Sequence, residues 1–311
     1  MFAKSDSEQP LLLRSQHQKL PAKSLTRETI VSVQSANPAI VRMAGDLHRG
    51  EYFAGLFIFG FASGFTSRIV HSIEEIGWAD ALFRTFGISV IVLASGVAGI
   101  SLVLRDRTSG IRPLELALGV CFILLAILPV GPLSWIAVTG LSLYILFSTD
   151  IATSRRGALI LLASTFPLLW SRLLFQFFAN YVLAADASLV SWLLGTPRTG
   201  NLVEFADKSG QLVIFPACSS LANVSLAFLC WVTLSQIVSH RKSASDAFWC
   251  LFACIAVVAV NVTRMTILGI SDWHYATFHG QWGDAVANTI ILALIVGICS
   301  LGVRRELVKY L

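Results

Sequence analysis

The sequence predicts an all-α, polytopic membrane bundle of about eight helices, on three observations. Its 311 residues are 55% hydrophobic and only 13% charged, well below the charged share of about 25% in soluble domains. The mean hydropathy is +0.73. The apolar residues fall in separate runs of roughly 16 to 24, the length a helix rising about 1.5 Å per residue needs to cross a hydrocarbon core about 30 Å thick. Such runs are too long and continuous for barrel strands, the other structure that satisfies its backbone in lipid.

Taken in order, the first fifty residues are polar and rich in Ser and Gln, with no apolar core near the start. They are expected to form a loosely ordered cytoplasmic arm, with no cleaved signal peptide. From 51 to 311 a single transmembrane domain is expected, with spans at 53 to 73, 84 to 104, 114 to 129, 133 to 149, 157 to 178, 217 to 238, 246 to 270 and 283 to 303. Pro129-Val130-Gly131-Pro132 reads as a tight turn between the third and fourth spans. The connection from 179 to 216 has two parts. Tyr181 to Leu194 interleaves Val182, Leu183, Leu189, Val190, Trp192 and Leu193 with small and acidic residues, as in a short helix lying in the outer interface. Gly195 to Phe215 then reads as a hairpin that delivers the chain to Pro216-Ala217-Cys218.

The basic residues set the expected topology, because Lys and Arg concentrate in cytoplasmic loops. With the N-terminus inside, 17 of the 23 fall in the arm, the inner connections and the C-terminal tail, the outer connections hold only Arg198 and Lys208, and Arg68, Arg84, Arg172 and Arg264 lie within or at the ends of spans. Both termini are then cytoplasmic. The formal charge of +5 is scattered in short clusters and not gathered on one face, which argues against a nucleic-acid partner. The six cysteines stand at irregular spacing inside or at the edges of apolar runs, unlike a disulfide framework.

Under this topology three residues distant in sequence come to one depth near the outer face. Cys218 is expected in the first turn of the sixth span, Arg264 about six residues before the outer end of the seventh, and His279 in the short loop before the eighth. A thiolate is a nucleophile, and both a helix N-terminus and a nearby cation lower its pKa. An imidazole titrates near neutrality and can exchange a proton with thiol and leaving amine. A guanidinium stays charged and can face an oxyanion or a carboxylate. Taken singly, each also has a structural use: a cysteine packs, an arginine near a helix end snorkels, and His279 sits among Trp273, His274, Tyr275 and Trp282 as in an interfacial aromatic belt. Asn261, one turn before Arg264, can orient it or join helices. Arg172 lies in the outer half of the fifth span, where it faces the same cavity and binds a carboxylate, or makes an interhelical contact; Arg68 is similarly placed in the first. Cys250 and Cys254, at the inner end of the seventh span, are read as packing. His274, His279, Asp272 and Asp284 are ligand types, but their spacing fits no zinc signature, and no cofactor is expected.

Ala217-Cys218-Ser219-Ser220 at the head of an outer-entering helix resembles the Ala-Cys-Ser-Gly motif of the exosortase/archaeosortase family. Asn261-Val262-Thr263-Arg264 resembles its Asn-x-x-Arg motif, and Phe278-His279-Gly280 followed by Gly283 its histidine motif. The likeness is motif-specific from about 165 to 303. It implies a cysteine peptidase or transpeptidase of a bacterial or archaeal cell membrane, its site facing the extracytoplasmic side. The substrates implied are exported proteins whose C-terminal sorting signal combines a short motif such as Pro-Glu-Pro, a transmembrane helix and a basic cluster. Cys218 would form the thioester, Arg264 and His279 would assist, and Ser219 and Ser220 would support the site. Pro216 stands where an acidic residue often precedes Ala-Cys, and Ser220 replaces the usual glycine, which bears on subfamily and substrate motif. Two other readings use the same residues: a non-enzymatic subunit for export or assembly of polysaccharide or protein, whose intramembrane arginines line a pathway, and an enzyme whose nucleophile is Ser219.

Overall fold

The computed structural model describes residues 47 to 308 apart from Ser109, Pro129, Val130, Arg241, Lys242 and Ala244. The arm up to residue 46 and the first half of the expected Pro129-Val130-Gly131-Pro132 turn lie outside the described residues.

Helix α1 (Arg49–Ile76) begins four residues ahead of the expected span because Arg49 is buried and held. Its backbone N–H donates to the Thr108 carbonyl at 2.9 Å, and its Nε reaches Glu115 Oε1 at 2.8 Å. The short α2 (Trp78–Phe83) leads into a turn in which Thr85, Phe86 and Gly87 all have positive φ, 51°, 53° and 67°. That left-handed backbone stops a right-handed helix. The second expected span therefore begins at 90 and not 84, as α3 (Val90–Leu104). Next come α4 (Pro113–Ile127), with proline at its first position where no N–H is needed, and α5 (Gly131–Ser148).

The expected interfacial helix is not a separate element. Helix α6 (Ala152–Thr165), a π-helical turn at Phe166–Trp170 and α7 (Ser171–Leu194) run on as one 43-residue segment. Pro167 has no N–H to give, and the widened turn around it absorbs the lost bond without ending the helix. From 171 to 194 there is neither glycine nor proline; the stop comes at Gly195 in the left-handed region, φ 68°. The expected hairpin is present and carries a third strand. Strands β1 (Arg198–Thr199), β2 (Leu202–Glu204) and β3 (Gln211–Val213) form an antiparallel sheet in the order β1-β2-β3, with Thr199 opposite Leu202 and Val203 opposite Leu212. The chain closes with α8 (Ser220–Ile237), α9 (Ser245–Leu268), α10 (Asp272–Phe278), α11 (Gln281–Gly302) and α12 (Arg304–Leu307).

Among the described residues six helical segments are long and apolar enough to cross a membrane: Arg49–Ile76, Gly131–Ser148, Ala152–Leu194, Ser220–Ile237, Ser245–Leu268 and Trp282–Gly302. Helices α3 and α4 are apolar but have only 15 residues each, a rise of about 22 Å. The fold is thus a helical membrane bundle with six candidate spanning helices and two shorter apolar ones. Helices α3 and α6 touch backbone to backbone. A Cβ on Gly157 would lie 2.6 Å from the Gly99 carbonyl oxygen, so only glycine lets these two helices meet.

Two apolar clusters organise the interior. The larger unites α1, α3, α4, α5, α6, α8, α9 and α11 around residues such as Phe57, Val138, Leu161, Leu229 and Ile295. The smaller seals the sheet against α7 and α9 through Ala187, Val190, Val203, Leu212, Ile214 and Met265, and Cys218 packs against it. At one end of the bundle, here the base, a buried ionic knot ties four elements. Arg49 faces Glu115 and Asp106 (3.6 Å) and donates to Ser148 at 2.9 Å, Tyr144 donates to Glu115 at 3.2 Å, and Ser154 to Asp106 at 3.1 Å. At the opposite end, the rim, lie the sheet and the heads of α8 and α11.

Candidate functional site

The head of α8 is built by residues that compete for its start. Pro216 opens a 3-10 turn, Pro216–Cys218, and Ser219 leaves it in extended conformation to cap the helix, its hydroxyl accepting from the Leu221 N–H at 3.3 Å. Cys218 therefore stands just before the helix and not in its first turn as expected. It is half-buried, with its N–H bonded to the Phe215 carbonyl at 2.9 Å.

Helix α9 fixes this turn from the side. Asn261, 2% exposed, donates through Nδ2 to the Cys218 carbonyl at 2.8 Å and to Ser220 Oγ at 3.1 Å. One amide thus holds both flanks of the Cys-Ser-Ser turn, a role beyond orienting Arg264. The Ser220 N–H donates to buried Asp186 Oδ2 at 3.0 Å, so a carboxylate from α7 meets the positive end of α8. The sheet is tied to the end of α9 by the Ala206 and Asp207 N–H groups, which donate to the Gly269 and Ile270 carbonyls at 3.0 and 3.2 Å.

One turn beyond Asn261, Arg264 lies within electrostatic reach of the Cys218 thiol and forms an ion pair with Asp284 of α11. Burial pushes the Cys218 thiol up; Arg264 pulls it down and Asp284 opposes that pull. Burial prevails, so the thiol stands above its ordinary value, where the sequence suggested a lowered one. Peptide-resolved alkylation of the full chain with iodoacetamide tests the sign. Cys218 should react slowly at pH 7 and increasingly past the ordinary thiol pKa of about 8.5. Arg264→Gln should slow it further by removing the one nearby positive charge that favours thiolate.

His279 ends α10 and Gly280 begins α11. The imidazole is exposed and stacked on Tyr275, with ring centroids 4.5 Å apart, and it has no hydrogen bond to Cys218 or Arg264 among the described residues. The corner that carries it depends on Gly283. A Cβ there would lie 2.0 Å from the Phe278 carbonyl oxygen, a contact only backbone movement can relieve. Gly283→Ala is expected to splay α10 from α11 and lower the thermal midpoint in detergent, whereas Gly280→Ala, with open space around it, should leave the midpoint within about 2 °C of the parent.

The structure thus gathers Cys218, Ser219, Ser220, Asn261 and Arg264 at one place on the rim, with His279 on the adjoining corner. Arg172 is elsewhere. It lines a separate cavity with Arg68, where a shared cavity with Cys218 was expected, because the sheet and α9 cover the Cys218 side of α7. Asp186 joins the site through the Ser220 N–H, and Asp284, which the sequence offered as a metal-ligand type or as an acidic neighbour orienting His279, pairs with Arg264. Among the described residues no group of three His, Cys, Asp or Glu side chains is arranged to hold a metal ion, and all six cysteines are free. Comparison with known protein families, curated proteins and solved structures gives no match.

Proposed function

We propose that this chain is an exosortase-like membrane cysteine peptidase or transpeptidase, which cleaves the C-terminal sorting signals of exported proteins on the extracytoplasmic side of a bacterial or archaeal cell membrane. The observation that carries the reading is the juxtaposition of Cys218 and Arg264, with Asn261 bonded to the Cys218 carbonyl. Two of the motifs that resemble the family, around Cys218 and Arg264, lie together on the rim, and the histidine motif lies on the adjoining corner. The eight-span topology, with the two short helices counted and both termini cytoplasmic, belongs to the same proposal.

The chemistry follows from the side chains. Sγ of Cys218 attacks the scissile carbonyl carbon while His279 takes the thiol proton. The S–C bond forms and the carbonyl oxygen becomes an oxyanion facing Arg264. Collapse breaks the C–N bond, His279 returns the proton to the leaving amine, and the thioester passes its acyl group to water or another nucleophile. Because burial keeps the thiol neutral at pH 7, a base is needed at the attack step. The step requires His279 to come within hydrogen-bond reach of the thiol in the substrate complex, as catalytic hydrogen bonds that are long in a free enzyme tighten when substrate binds. Asp284 pairs with Arg264 and so positions the guanidinium, and it competes with the oxyanion for it.

The test is a covalent one. The purified full chain is incubated with an exported protein carrying a candidate C-terminal signal and quenched in acid. Intact-mass and peptide analysis should find a hydroxylamine-labile acyl adduct on Cys218. An adduct on Ser219, or turnover without any adduct on Cys218, would overturn the reading.

A further inference from the structure

Arg68, Arg172 and Arg264 stand 19, 20 and 19 residues beyond the first residues of the helical segments that carry them. Those segments start together at the base, where Arg49 and Ser154 share Asp106 and Arg156 Nε donates to the Gln236 carbonyl at 2.6 Å. By helix rise the Cα atoms of the three arginines therefore stand about 28 to 30 Å up their segments, one hydrocarbon thickness, which puts the side chains within reach of lipid headgroups. Arg264 has Asp284 as its partner. Arg68 has only a long contact, 3.4 Å, to the Gly87 carbonyl, and Arg172 has no hydrogen bond or ion pair among the described residues.

Both face one cavity of about 280 Å³ between α1, α5 and α7, with Gln176, one turn after Arg172, as a further donor and Phe65, Trp135 and Leu169 as apolar wall. No carboxylate is among its described lining residues. Among the described residues neither arginine has a carboxylate partner, and Arg172 is exposed, so an anion can reach both. A second groove of about 650 Å³ adjoins it and shares Ser67 and Gly131. It runs along α1 beside the end of the short α4, where Phe59, Val70, Ile127 and Leu128 offer a surface for a hydrocarbon chain. Glu74 lines this groove and not the arginine cavity.

We propose that Arg68 and Arg172 bind the phosphate of an anionic phospholipid, with one acyl chain lying in the adjoining groove. Guanidinium forks suit phosphate oxygens, the bilayer supplies phosphates at this height, and the described lining of the cavity holds no carboxylate to balance the ammonium of a zwitterionic headgroup. The proposal is independent of the reaction assigned to Cys218.

The test is native mass spectrometry of the purified full chain titrated with phosphatidylglycerol, phosphatidylcholine or inorganic phosphate. Phosphatidylglycerol should bind in preference to phosphatidylcholine, Arg68→Gln and Arg172→Gln should each weaken it about fivefold, and the double variant should lose the preference. Arg68→Lys and Arg172→Lys should retain most of it. Equal binding of the two lipids by the parent, or undiminished binding by a folded double variant, would overturn the proposal. So would displacement of the lipid by inorganic phosphate at equal concentration, since the ligand would then be a free anion. A photoreactive phosphatidylglycerol gives a readout on the unmodified chain: label should map to 59–74, 127–135 or 168–176, and label confined elsewhere would equally overturn it.

Discussion

Replacing Cys218 with serine or alanine is expected to abolish removal of a C-terminal sorting tail in cells, by on the order of 10⁶-fold, at unchanged membrane levels of the protein. The serine variant is the sharper of the two: it keeps the size and hydrogen-bonding ability of the side chain but is not deprotonated at accessible pH. Arg264→Ala should cost about 10²- to 10³-fold, the loss of one oxyanion donor. Ser219→Ala separates this reading from a serine nucleophile. The Ser219 hydroxyl is buried and committed to capping α8, so its loss should cost about 1 kcal/mol of stability and little rate. Normal processing by both Cys218 variants would sink the covalent mechanism and favour a non-enzymatic export subunit, which has no need of a thiol.

The second large effect is expected at the base. Glu115 is fully buried. It accepts from Arg49 at 2.8 Å, Tyr144 at 3.2 Å and the Arg112 N–H at 3.1 Å, while its own carbonyl accepts from Tyr52. Glu115→Ala removes the nearest counter-charge of Arg49 and leaves Asp106 at 3.6 Å. Breaking one side of a buried pair costs about 3 to 5 kcal/mol, which should appear as a large drop in thermal midpoint in detergent without any change at the rim. Acid should act on the same knot. Burial pushes the Asp106 carboxyl up, but hydrogen bonds from Thr108 and Ser154 and the charge of Arg49 outweigh it and hold it below its ordinary value. A depressed carboxylate contributes stability above its unfolded pKa of about 3.9 and loses it as pH falls through the folded value. The knot should therefore loosen only below about pH 4, and Asp106→Asn should remove that acid sensitivity.

How much was legible differs along the chain. The apolar runs at 53 to 73, 133 to 149, 246 to 270 and 283 to 303 became helices within a few residues, because a run long enough to span must be helical whatever its neighbours. The hairpin before Cys218 was legible from Gly, Pro and Asn at the turns. Errors arose where local backbone or burial decided. Thr85 and Phe86 adopt left-handed conformations that no composition rule assigns to them, and they delay α3. The stretch from Tyr181 to Leu194 reads as a separate interfacial helix, yet nothing from 171 to 194 breaks a helix, so the segment that starts with α6 runs through it. Arg49, counted in a polar arm, became a buried helix residue because Glu115 and Asp106, remote in sequence, neutralise it.

The sequence by itself determined the helical, membrane-bundle class, since this follows from hydropathy and span length, which are local properties, and it singled out Cys218, Asn261, Arg264 and His279 as candidates by residue chemistry and by resemblance to a family. Only the tertiary structure decided their relations: that Asn261 holds the Cys218 carbonyl, that Asp284 pairs with Arg264, and that Arg172 joins Arg68 in a separate cavity. It also sets burial against the charge of Arg264 at Cys218, which gives the expected sign of the thiol's pKa shift. That sign is a contest between desolvation and charge, and both depend on how closely α7, α9, α11 and the sheet pack around one sulfur.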